Sequence, residues 1–142
     1  MFEEHITCIR HSLKRAEELS SRAALGAQMF ELFFARYPET RSIFANTNLE
    51  DFASVKFRYV SELILDSVKH PEYVEANMVS EVHRHQYFDV NDVAYYYGMI
   101  DACRMAVQQT LKAEWTPETN TYWDEVTQAT KASVQQAYKE VR

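Results

Sequence analysis

Two imidazoles, His83 and His85, stand two residues apart in the run from Val79 to Val90. Imidazole is the side chain that can present a neutral nitrogen to a metal near neutral pH. A single histidine on a helix is a surface or core residue more often than a ligand, so the pair gains meaning only from its surroundings. At about 100° per residue the two rings point roughly 200° apart, and both cannot reach one metal ion. A second distinctive stretch is Tyr37-Pro38-Glu39-Thr40-Arg41-Ser42-Ile43-Phe44, in which a phenylalanine follows a proline by six residues. Other constellations carry little chemistry. Tyr95-Tyr96-Tyr97 reads as core and rim at a helix start, and Glu3-Glu4 and Glu17-Glu18 as solvated helix faces. No nucleophile-base-acid arrangement or glycine-rich phosphate loop is visible.

The elements that must hold these residues are helices. The 142 residues are 46% apolar, with only two glycines and three prolines. Such a composition favours one ordered all-α domain over residues 1–142 with few turns. Cys8 and Cys103 lack metal-ligand spacing and read as reduced thiols in a cytoplasmic protein. Glu3, Glu4 and His5 interrupt any apolar start, so no signal peptide is expected. No apolar run approaches the ~20 residues of a membrane span. The formal charge of −6, with no basic stripe, excludes a nucleic-acid surface.

Apolar spacings of three and four predict helices over about 3–19, then from a Ser20 or Ser21 cap through Leu25, Met29 and Phe33, then about 49–68 after an Asn48 cap. Pro71 opens the helix that carries the histidines. Another is expected over about 91–112, capped by Asn91 or Asp92, and a last one from Thr116-Pro117-Glu118 to about 141. Pro38 starts one short turn reaching Phe44. Gly26, inside the second helix, costs about 1 kcal/mol relative to alanine, which suggests that another backbone crosses close by.

The order of these parts resembles the globin family over nearly the whole chain, with the bacterial single-domain globins the nearest likeness. The Pro38-to-Phe44 spacing, Gly26 and the Thr116-Pro117-Glu118…Trp123 helix start carry the resemblance. It implies a globin fold with helices packed around a haem pocket, haem b (iron protoporphyrin IX) as cofactor, and a diatomic gas (oxygen, NO or CO) as ligand. Phe44 would pack against the haem. Globins tend to place an apolar residue four before the proximal histidine and a small one three before it. Val79 and Ser80 give His83 those offsets, and the ligand role is assigned to His83. His85 is the alternative. Its five-residue spacing to Val90, which opens the next segment, fits many bacterial globins, but Glu81 would face the macrocycle.

On the distal side the resemblance places Phe30 and Phe34 on the second helix and Val55 and Tyr59 on the next, flanked by Phe52 and Leu63. A one-residue slip would turn Lys56 and Val60 inward instead. Tyr59 supplies a donor for bound ligand, and Lys56 is a candidate sixth iron ligand. The implied roles are gas binding or transport, sensing, or NO detoxification with a separate reductase. Whether the chain is an enzyme, and whether it is a monomer or homodimer, stay open. A reading from another class is a globin-fold interaction or sensor module without haem.

Overall fold

A computed structural model describes residues 3–86, 90 and 92–141. Helix α1 is Glu3–Leu19, α2 Arg22–Arg36, α3 Leu49–Lys69, α4 Pro71–His85, α5 Val93–Leu111 and α6 Pro117–Val141. Between α2 and α3 the segment Pro38–Phe44 is a 3-10 helix. No strand occurs among the described residues, and none of their helices is long and apolar enough to cross a membrane.

Local chemistry sets the boundaries. The Ser21 hydroxyl accepts from the Ala24 amide at 3.0 Å, and Asp92 accepts from the Ala94 amide at 2.9 Å. Asn48 caps α3. Each satisfies one of the amides that a helix start leaves without an internal partner. Thr116 does the same for the Thr119 amide at 3.1 Å, ahead of Pro117, which has no amide to satisfy. The α5 cap is therefore Asp92. The alternative cap Asn91, and Asp89 in the histidine run, lie outside the described residues.

The core is one apolar cluster to which every long helix contributes, with Trp123, Phe30, Phe57 and Met29 among its fully buried members. Helix α2 lies against α3 and α5, and α4 against α6. Two buried hydroxyls, Ser67 and Thr130, meet at 2.8 Å between α3 and α6, so neither is left without a partner in the apolar interior. Cys103 is fully buried, and burial pushes its thiol up to about 12. Such a thiol is inert structure, as the spacing suggests.

Gly26 marks the crossing of α2 and α3. A Cβ at this position would collide with the Ala53 carbonyl, 2.6 Å from its carbon. The obstacle is backbone, which a rotamer change cannot clear. Four rings then lock the corner between α2, the 3-10 helix and α3. Phe30 packs on Phe34, Phe44 and Phe52 with centroids 5.6, 5.3 and 6.0 Å away.

Gly26→Ala is expected to destabilise the protein. Overpacking costs about 1–3 kcal/mol, and the gain in helix propensity, about 1 kcal/mol, offsets only part of it. Urea unfolding should show a lower midpoint with an unchanged slope. An equal or higher midpoint would mean that the two helices can part without cost.

Candidate functional site

A cavity of about 480 Å³ opens between α3, α4, α5 and the 3-10 helix. That is a normal size for a small-molecule or cofactor pocket. Phe44, Ile43 and Thr40 come from the 3-10 helix, and Met99, Ile100, Tyr95 and Tyr96 from α5. Val90, Phe33 and Val134 complete the apolar part. Lys56 and Tyr59 on α3, and Glu81, Arg84 and His85 on α4, bring polar groups to the wall.

The histidine that lines the cavity is His85, and His83 is exposed. Helix geometry explains this. The buried residues of α4 are Val74, Met78 and Val82. At about 100° per residue, His85 falls within about 20° of Val74 and Met78, whereas His83 lies about 180° and 140° from them. Val79, which argued for His83, is only half-buried and is not part of the cavity wall. His83, the sequence-based choice, therefore lies on the side of the helix away from the cavity.

The objection to His85 was the carboxylate four residues before it. Glu81 does line the cavity, but Arg84 holds it at 2.6 Å, so the charge is not left alone in an apolar wall. The spacing from His85 to Val90 also has a structural cause. The Val90 amide donates to the His85 carbonyl at 3.1 Å, and Val90 is buried against the cavity.

His85 is held in one orientation. Its Nδ1 lies 2.6 Å from the Glu81 carbonyl. A carbonyl can only accept, so Nδ1 carries the proton and Nε2 keeps its lone pair. Burial pulls the His85 pKa down, and the bond to the Glu81 carbonyl opposes this only in part. The neutral ring is the form that ligates a metal.

On α3 the inward face combines the two registers, with Lys56 taking the place given to Val55. Phe52, Lys56, Tyr59 and Leu63 share an arc of about 60° facing the cavity, with Val60 at its buried edge. Val55 reaches only the rim and is 59% exposed. Tyr59 lines the cavity as expected, and burial pushes its hydroxyl up to about 12. The hydroxyl therefore stays protonated and able to donate. The Lys56 amine sits 5.1 Å from the Tyr59 ring centroid, and burial lowers its pKa.

Of the second-helix residues, Phe30 and Phe34 form the aromatic corner behind the cavity, and Phe33 takes the place on the wall. Phe30 lies one turn before Phe33 and about 60° around α2 from it. The Tyr96 hydroxyl was not singled out by the sequence. It is buried without a hydrogen-bond partner among the described residues, and its ring stands edge-on to His85 at 5.5 Å. Nothing in the sequence separates it from Tyr95 and Tyr97, whose hydroxyls reach Glu39 and Gln135.

This donor set fits haem. The walls are mostly apolar, one imidazole offers Nε2, and one buried hydroxyl awaits an acceptor. No group of three or more His, Cys, Asp or Glu able to hold a bare ion occurs among the described residues. Haem iron brings its other ligands with it.

The Tyr96 hydroxyl gives a stability test. A buried polar group without a partner costs about 1–3 kcal/mol. In protein without added cofactor, Tyr96→Phe should therefore keep or raise the urea midpoint. A fall of more than about 1 kcal/mol would show that the hydroxyl is engaged.

Among curated proteins, none matches the chain. The family model for globins matches residues 27–141, which include α3 and α4 entire, the 3-10 helix and every residue of the cavity wall. The chain belongs to the globin family.

Proposed function

We propose that the cavity holds haem b through His85 and that the protein binds a diatomic gas, oxygen, NO or CO, at the iron. The observation that supports this best is the His85 ring itself. It is on the cavity wall, with Nδ1 bound to the Glu81 carbonyl and Nε2 left for a metal. Ligating histidines usually donate their other nitrogen in this way.

When bound, haem supplies an iron whose redox state and ligand affinity the protein tunes. The chain's own residues have separate tasks. Glu81 fixes the imidazole through its carbonyl, and Arg84 neutralises its carboxylate. Phe44, Val90, Met99 and Ile100 give a water-poor wall. Tyr59 is the hydroxyl on α3 that can donate to a gas ligand. Turnover as an NO dioxygenase would draw electrons from a separate reductase. Gas binding, transport or sensing needs none. The cysteine chemistry suits a cytoplasmic setting.

Haem titration of the purified chain tests the cofactor. A strong Soret band at one haem per chain is expected, and its absence would favour an interaction module without haem. The ligand is tested by comparing two variants. His85→Ala should lose the native ferrous spectrum and regain it with added imidazole. His83→Ala should keep the spectrum. The reverse pattern would return the assignment to His83.

Tyr59→Phe should speed oxygen dissociation. Loss of one hydrogen bond is worth about 0.5–1.5 kcal/mol, or roughly two- to twelve-fold if all of it appears in the rate. Flash photolysis or rapid mixing measures it. An unchanged rate would make Tyr59 a packing residue.

A further inference from the structure

The haem reading leaves one group in the cavity without a task. Lys56 projects from the middle of the inward arc of α3, with Phe52 one turn before it and Tyr59 and Val60 one turn after. Long amines on a helix normally draw their charge out to water. This one lies on the cavity wall: the residue is half-buried, and its amine sits 5.1 Å from the Tyr59 ring centroid. No carboxylate lies within ion-pair distance of it among the described residues. Glu81, the acidic side chain on the same cavity wall, is engaged by Arg84. Tyr59, Arg84, His85, Tyr95 and Tyr96 are the other titratable side chains on that wall. Burying an ammonium is costly, and the Glu81 carboxylate at longer range offsets that only in part. Burial lowers its pKa, and so favours the neutral amine with its lone pair.

We propose that Lys56 Nζ is the second protein ligand of the iron, reaching it from α3 across the cavity from His85 on α4, so that a gas must displace it to bind. The inference rests on the haem reading above. The amine gives up its proton to water and donates its lone pair to the iron, with no change in oxidation state. The role of Lys56 is then to set affinity and rate. A gas binds only the fraction of chains whose lysine has let go, which weakens apparent affinity by that fraction.

The experiment uses the full chain loaded with haem. Ferrous wild type should give a low-spin, six-coordinate spectrum without added ligand. CO binding by rapid mixing should level off as CO rises, because lysine release becomes limiting. Lys56→Ala should give a five-coordinate ferrous spectrum and a CO rate proportional to concentration. If lysine occupies about nine irons in ten, apparent CO affinity should rise about tenfold. Lys56→Arg keeps a positive charge, but its guanidinium is not deprotonated in proteins. It should therefore behave like Lys56→Ala.

A wild-type ferrous spectrum that is already five-coordinate overturns the proposal while leaving haem binding intact. So does a low-spin spectrum that survives Lys56→Ala, or a Lys56→Arg protein that matches wild type. Failure to take up haem at all overturns the haem reading, and this proposal with it.

Discussion

The close approach of α2 to α3 at Gly26 governs the arrangement of the site. A helix carries about 3.6 residues per turn, so fixing one face of α3 fixes the others. The absence of a Cβ at Gly26 lets the Ala53 backbone come into contact. That contact commits Ala53, Phe57 and Ile64 to the core. Roughly a third of a turn away, Phe52, Lys56, Tyr59 and Leu63 are then turned to the cavity. Val55 is left on the exposed flank. Phe30, Phe44 and Phe52 brace the same corner, so the 3-10 helix that carries Phe44 is held against α3. The cavity is the space these commitments leave open.

Most of the framework was legible in the sequence because its signals are local. Prolines at the first helical position, side-chain caps at Ser21, Asn48 and Asp92, and apolar stripes each act within a few residues. They fixed the helix ends to within about one or two residues, the usual disagreement between ways of defining them. The glycine at the crossing was legible as well, since glycine inside a helix is costly and needs a reason.

The site was less legible, and the two misplacements share a cause. On α4 the sequence reading favoured His83 because Glu81 looked like an isolated charge facing an apolar pocket. Arg84, three residues on, pairs with it, as residues three apart on a helix can. On α3 it placed Val55 inward with Phe52, Tyr59 and Leu63, whereas Lys56 takes the more inward position and Val55 the rim. In both places the rule that keeps charge out of an interior points away from side chains that line the cavity. Functional sites are where such local rules are expected to fail. His85 was held back by its acidic neighbour.

Polar groups in this cavity are a cost that the rest of the fold carries. Lys56, Tyr59, Glu81, Arg84, His85 and Tyr96 all line it. Each desolvated group without full compensation is worth kilocalories, while a domain of this kind is stable by only about 5–15 kcal/mol. The compensation inside the chain is partial. Glu81 has Arg84, and His85 has the Glu81 carbonyl, but the Tyr96 hydroxyl has no partner among the described residues. A bound group that supplies acceptors and a ligand site converts these costs into binding free energy. Such a group adds about 4 kcal/mol of stability when present at a thousand times its dissociation constant. The same side chains that strain the fold without a cofactor therefore select for one. The Lys56 amine on α3 and the oriented His85 imidazole on α4 give the cavity two chemically different walls.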